Sequence, residues 1–264
     1  MIDSQHSVSD TRRVLLLGGT SEASAMARAL AGAGVDAVFS YAGRTAAPVA
    51  QPLPTRVGGF GGVEGLGAYL RDEGITHVID ATHPFAAQMS RHAVAACAEM
   101  GVPLVGFERE SWRAGPGDDW HGVPDMESAL AALPDRGARV FLAIGKQNLD
   151  LFAGKPDNFY LLRLVDAPSA ALPFPDAVAV IDRGPFSEAG DLALLRDHAI
   201  THIVAKNAGG TGAAAKLAAA RQLGLPVILI ERPLVPARRI ARTVEQVMEW
   251  LAGHPAALSA DLGV

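Results

Sequence analysis

The sequence predicts an α/β protein made of two Rossmann-like three-layer domains, with mainly parallel sheets and an interdomain cleft. Three observations carry that expectation. Apolar runs of strand length alternate with longer segments of helical spacing, the pattern of a parallel sheet flanked by helices. The 264 residues, 49% hydrophobic and 19% charged, suffice for two compact cores. The chain also repeats itself. "GITHVID" at 74–80 returns as "AITHIVA" at 199–205, "GVPLVGFER" at 101 as "GLPVILIER" at 224, and "RVLLLGG" at 13 as "RVFLAIG" at 139. The offsets between these pairs stay almost constant, which argues for two related α/β units and against a chance tripeptide.

In chain order, strands are expected near 13–17, 35–40, 54–58, 75–81 and 102–107, with helices near 21–33, 63–73 and 85–100. The stretch "WRAGPGDDWHGVPD" at 112–125 concentrates Gly, Pro and Asp and marks a domain boundary. Beyond it come a helix near 125–133, a strand at 139–144, a short helix from 146 and a strand near 158–165. A Pro-rich crossing, "APSAALPFPD", leads to a strand at 177–182, a helix from 187, strands at 200–205 and 225–231 around a helix at 211–223, and a last helix at 243–252. The expected division is a loose N-terminus at 1–12, a cofactor domain at 13–112, a substrate domain at 113–255 and a tail at 256–264.

Composition excludes several classes. The longest apolar runs, "VLLLGG" and "LPVILI", fall short of the roughly 20 residues that a membrane span needs. The polar start lacks the apolar stretch of a secretory signal, so the expected location is cytoplasmic. A net charge of −5 with no basic run lacks the footprint of a nucleic-acid binder, while leaving room for a local anion site. Cys97, the single cysteine, rules out an internal disulfide and is read as a buried, inert thiol in an alanine-rich helix. His198 and His202 stand four apart, but Ile200 begins a strand between them, and no metal site is expected.

The chemistry is expected in the loops that follow the strands. "VLLLGGTSEASAMARALAGAG" is a strand, a glycine turn and a helix, an arrangement that brings backbone amides and the helix dipole to a pyrophosphate. Its spacing departs from G-x-G-x-x-G, and glycine turns also serve packing alone. Gly18, Gly19, Thr20, Ser21 and Glu22 form the candidate cradle. The second strand ends in Ser40, Tyr41, Ala42, Gly43 and Arg44. Where an NAD-binding domain places a carboxylate for the ribose hydroxyls, this one offers hydroxyls and a cation, which favours NADPH/NADP+. Gly58, Gly59 and Phe60 open a glycine-rich loop suited to close backbone approach, and Thr82, His83, Pro84 and Phe85 face the nicotinamide end. His83 and Tyr41 are the candidate proton donors, and a histidine that only hydrogen-bonds locally is the competing reading of His83.

In the second half Lys146 and Gln147, Gly184, Pro185, Phe186 and Ser187, and Lys206, Asn207, Gly209, Gly210 and Thr211 lie at expected strand ends, where lysines and amides can hold carboxylates. Together "GGTSEA", "YAGR", "GGFGG", "DATHPFA", "GPFS" and "KNAGG", followed by "KLAAARQLGLPV", resemble the precorrin-6A reductase family of cobalamin biosynthesis over residues 13–233. The resemblance implies an NADPH-dependent reductase that saturates one double bond in the ring D region of the tetrapyrrole precorrin-6A, giving precorrin-6B. It also implies substrate held between the two domains. Neighbouring enzymes of the corrin pathway are candidate partners. The family includes a branch that uses NADH and a cobalt-containing substrate, against which the segment from Ser40 to Arg44 speaks. A non-catalytic dinucleotide sensor is the rival from another class.

Overall fold

The computed structural model describes residues 12–43, 48–168 and 170–254. Two six-stranded sheets, every pairing in them parallel, belong to two compact units: one formed by the described residues up to Arg109 and from Val235 onward, the other by the described residues of Glu110–Leu234.

In the first unit β1 (Arg13–Leu17), β2 (Asp36–Tyr41), β3 (Thr55–Val57), β4 (His77–Asp80) and β5 (Leu104–Phe107) alternate with α1 (Ser21–Gly32), α2 (Val63–Asp72) and α3 (Ala87–Met100). Period-two alternation sorts the strand residues to opposite faces. Val14, Leu16, Phe39, Ile79 and Val105 turn to α1, while Leu15, Leu17 and Val78 turn to α2 and α3, where Leu66, Leu70 and Ala93 meet them. Strands buried on both faces read as continuous apolar runs, which is why "VLLLGG" was legible as a strand.

The second unit repeats the plan. It contains β7 (Arg136–Ala143), α5 (Leu149–Phe152), β8 (Asp157–Leu164), β9 (Ala177–Ile181), α6 (Glu188–Asp197), β10 (His202–Lys206), α7 (Ala215–Leu223) and β11 (Val227–Ile230). With β6 (Trp120–Val123) and β12 (Arg239–Ala241), the sheet orders are β12-β5-β4-β1-β2-β3 and β6-β11-β10-β7-β8-β9, identical once β1–β5 are matched to β7–β11 in chain order and β12 to β6.

The sixth strands break the expected division. β6 (Trp120–Val123) follows β5 in the chain yet pairs with β11, and β12 (Arg239–Ala241) follows β11 yet pairs with β5. Each unit therefore receives the strand that simple continuation would give to the other. The assignment of 113–255 to one domain is corrected accordingly: α8 (Val244–Gly253) places Val247, Trp250 and Leu251 in the core of the first unit beside Leu30, Phe39 and Val105. The physical reason is burial, since the apolar face of α8 completes the side of the first sheet that α1 leaves uncovered. Just beyond the expected boundary segment α4 (Met126–Ala132) matches the predicted helix, but within that segment 120–123 is a strand.

The repeated Ile-Thr-His now has a structural cause. Thr76 Oγ1 accepts from Arg13 N at 3.0 Å and Thr201 Oγ1 from Arg139 N at 3.0 Å, while Thr76 N donates to Arg13 O and Thr201 N to Arg139 O, each at 2.8 Å. The threonine closes the first rung between the two central strands of each sheet, where a backbone N–H would otherwise lack a partner. Its hydroxyl also meets Nδ1 of the next residue, His77 at 2.9 Å and His202 at 2.8 Å. The repeat is a solution to starting a parallel sheet.

Candidate functional site

In each sheet β1 or β7 has its sequence successor on one side and β4 or β10 on the other, so the chain leaves neighbouring strands in opposite directions at their carboxyl ends. Ligands of doubly wound sheets bind at that switch point. The loops after β1 and β4 of the first unit hold Gly18–Glu22 and Thr82–Phe85.

Thr20 joins the two loops. Its hydroxyl accepts from Ala23 N at 3.1 Å as the N-cap of α1 and donates to Ala81 O at 2.8 Å. Gly18 and Gly19 differ in kind. A Cβ on Gly18 would lie 2.1 Å from the buried ring of Phe39, so that glycine is required by packing. Gly19 has φ +124° and nothing within 4 Å of the Cβ position, leaving its backbone bare on that side. Gly58, Gly59, Gly61 and Gly62 are equally bare, three of them at positive φ. The bare Gly19 after β1 and the bare run after β3, on the same carboxyl edge of the sheet with β2 between them, form a cradle that side chains would fill, and they fit a dinucleotide.

Glu22 pairs with Arg109 at 3.0 Å in a shallow, solvent-open depression that Thr20, Thr82, Pro84, Phe107 and Glu108 also line. Burial pushes the Glu22 carboxyl up, but the Arg109 guanidinium, its own backbone N–H and the Ser21 hydroxyl outweigh burial and hold it below the usual carboxylate range. Beneath this depression Asp80 is 2% exposed. It accepts from Thr82 Oγ1 at 2.7 Å and Thr82 N at 3.2 Å, and meets Arg238 at 3.4 Å, which also binds Glu108. The network fixes the "THPF" loop. His83 Nδ1 accepts from Phe85 N at 3.2 Å, which leaves the proton of a neutral ring on Nε2.

On β2, Ser40 is buried and Tyr41 turns its hydroxyl onto its own loop, donating to Val49 O at 2.8 Å and accepting from Gln51 at 2.6 Å. Ala42 and Gly43 are exposed beside it, with Gly43 at φ +77°. Arg44 lies outside the described residues. Sequence reasoning missed Arg56 on β3, whose guanidinium reaches Ser40 Oγ at 2.8 Å, Gly58 O at 3.0 Å and Gly59 O at 3.1 Å and stacks 3.9 Å over Phe60. The available signal was an arginine two residues before a glycine run at a strand end.

In the second unit Lys146 and Gln147 open the short 3-10 turn after β7 and are exposed. Phe186 N donates to Gly212 O at 3.4 Å, which ties the 184–187 turn to the loop after β10. Under that turn Arg163 stacks 3.6 Å from the Phe186 ring and forms a buried two-toothed ion pair with Asp191. Ser187 caps α6 by accepting from Gly190 N at 3.1 Å. The Asn207 side chain is spent internally, accepting from Trp112 N at 2.8 Å and donating to Trp112 O and Glu231. Gly209, at φ +71°, leaves no room for a Cβ against Glu110 O, whereas Gly210 accepts from the Trp112 indole at 2.7 Å. Lys206 and Thr211 border this loop, Thr211 exposed. The described residues bring no three His, Cys, Asp or Glu side chains together as metal ligands, and no helix among them is long and apolar enough to cross a membrane.

Two parallel doubly wound sheets, one with bare glycines at the carboxyl ends of β1 and β3, define a Rossmann-type protein of the dinucleotide-binding class. Residues 13–252 match the family model described as Precorrin-6x reductase CbiJ/CobK, and the chain belongs to that family. A precorrin-6A reductase of Rhodobacter capsulatus is 67% identical over 92% of this chain and 97% of its own length. A cobalt-precorrin-6A reductase of Priestia megaterium is 30% identical over 91% of this chain and 98% of its own. The solved structure of CobK precorrin-6A reductase superimposes with a TM-score of 0.90 at 66% identity, covering 94% of this chain and 99% of that one.

Proposed function

We propose that this protein is an NADPH-dependent precorrin-6A reductase of cobalamin biosynthesis that forms precorrin-6B. The 67% identity to a precorrin-6A reductase over nearly the full length carries the reading, and the 30% identity to a cobalt-precorrin-6A reductase favours the metal-free substrate over the cobalt branch.

Gly19, Ser21 and the glycines at 58–62 hold the cofactor's phosphates and ribose by backbone approach, with Thr20 fixing the turn. The cofactor these residues would hold supplies, when bound, a hydride for an electron-poor carbon of the macrocycle, with a proton needed at the neighbouring carbon. The chain's task is to align two flat rings and exclude water. Tyr41 commits its hydroxyl hydrogen to Val49 O, so His83 Nε2 or water is the better proton source. On the second unit Lys146, Lys206 and the turns at 184–187 and 209–211 hold the macrocycle's carboxylates, with Gln147 at the rim and Asn207 acting through the backbone it holds in place. The expected setting is the cytoplasm, beside other enzymes of the corrin pathway.

The test mixes the protein with NADPH and precorrin-6A and follows nicotinamide absorbance. Oxidation matching substrate consumption one to one is expected, faster than with NADH. Binding of both ligands without oxidation would identify a sensor, and turnover of only the cobalt-containing substrate would select the other branch. His83→Ala should slow turnover well short of the ~100-fold that a general acid supplies at minimum, because water can take its place; complete loss in a folded variant would show His83 to be an obligatory proton donor and contradict this modest role.

A further inference from the structure

Arg56 is half-buried on β3 directly beside Ser40, its register partner on β2. The carboxyl end of β2 is where a doubly wound dinucleotide domain reads the ribose at the adenosine end of its cofactor. An acidic side chain there hydrogen-bonds the 2'-hydroxyl and repels a 2'-phosphate. Here the position next to Ser40 is a guanidinium.

Its partners are all neutral: one hydroxyl and two carbonyl oxygens. Among the described residues no carboxylate pairs with it, so these residues hold the positive charge in place without compensating it. A guanidinium has five N–H donors. Three point to Ser40, Gly58 and Gly59, leaving Nε–H and one N–H of Nη2, a pair on one edge suited to a phosphate. Phe60 lies against the cation at 3.9 Å and Tyr69 at 5.1 Å, packing that limits where the guanidinium can swing. The same contacts brace the carbonyls of the glycine run that faces the cofactor.

We propose that Arg56 is a specificity-determining residue for NADPH, in addition to the expected Arg44: it binds the 2'-phosphate through its spare donors while Ser40 and the glycine carbonyls orient it. The inference rests on the cofactor reading above and goes beyond it by assigning the residue.

The test is calorimetric titration of NADPH, NADH and adenosine 2',5'-bisphosphate into wild-type protein, Arg56→Gln and Arg56→Lys, with thermal melts of each. For Arg56→Gln, NADPH and the bisphosphate should bind about 10- to 150-fold more weakly, the range for a hydrogen bond to a charged group, and NADH less than about threefold. Arg56→Lys keeps the charge without the planar fork and should fall between. Equal losses for NADPH and NADH would reduce Arg56 to a brace for the glycine loop and overturn the proposal, as would unchanged NADPH binding. If Arg56→Gln does not fold, Arg56→Lys decides on the same criteria. A wild-type protein that fails to prefer NADPH over NADH would instead overturn the cofactor reading itself, so the two failures are distinguishable.

Discussion

Gly18→Ala separates packing from cofactor approach in the glycine turn. Gly18 is not at positive φ, so alanine suits its backbone and would by itself gain about 0.4–1 kcal/mol through the unfolded chain. The added methyl, however, would sit 2.1 Å from Phe39 Cζ and 2.3 Å from Cε1. Phe39 is fully buried, with its ring centroid 4.5 Å from that of Tyr41, and cannot swing aside. Overpacking a tight core costs about 1–3 kcal/mol, and a contact this short belongs at the upper end, so a net loss of roughly 1–2.5 kcal/mol is expected. Urea unfolding of wild type, Gly18→Ala, Phe39→Leu and the double variant measures it. Because the smaller side chain clears the clash, the pair should couple favourably by about 0.5–3 kcal/mol. Gly19→Ala is the control: nothing lies within 4 Å, but φ is +124°, so its cost of about 1–3 kcal/mol is backbone strain and should be additive with Phe39→Leu. A Gly18→Ala protein as stable as wild type, or an additive Gly18/Phe39 cycle, would refute the packing argument.

Three further outcomes are expected. Arg163→Met strands the Asp191 carboxylate in a site where it is 3% exposed and should cost about 3–5 kcal/mol by chemical denaturation, much of it recovered by adding Asp191→Leu. Thr76→Val and Thr201→Val each remove a strand-opening hydrogen bond and should each cost about 0.5–1.5 kcal/mol; no loss from either would dismiss the account of the repeated tripeptide. Burial, and secondarily the Asp80 charge, push the Cys97 thiol up to about 12, so iodoacetamide at pH 8 should label unfolded but not native protein. Since the folded value is raised, the associated stability is full below the ordinary value of 9.0 and declines as pH climbs toward 12, measurable as a falling urea midpoint.

The most plainly legible strands, those at the centre of each sheet, are buried on both faces. "VLLL", "VFLA" and "VILI" are apolar along their whole length, as a strand in a doubly covered sheet requires, so composition alone marks them. The glycine turn after β1, the 58–62 run and the near-constant offset of the repeat were equally visible, because backbone conformation and a shared plan leave traces in local sequence. Trp120–Val123 and Arg239–Ala241 left none. Both are short edge strands with exposed positions, and one lies in a stretch whose Gly, Pro and Asp content reads as a linker.

Sequence alone therefore determined the class of fold, its duplication and the glycine-rich loops at the strand ends, since these follow from periodicity, glycine placement and burial of whole strands. Only the tertiary structure decided which unit owns each sixth strand, that Gly18 is held by Phe39 while Gly19 lies open, that Asn207 and Ser187 spend their side chains on the scaffold, and that Arg56 lies beside Ser40. Those facts depend on residues far apart in the chain meeting in space, and an edge strand or a surface arginine carries no local mark of its partner.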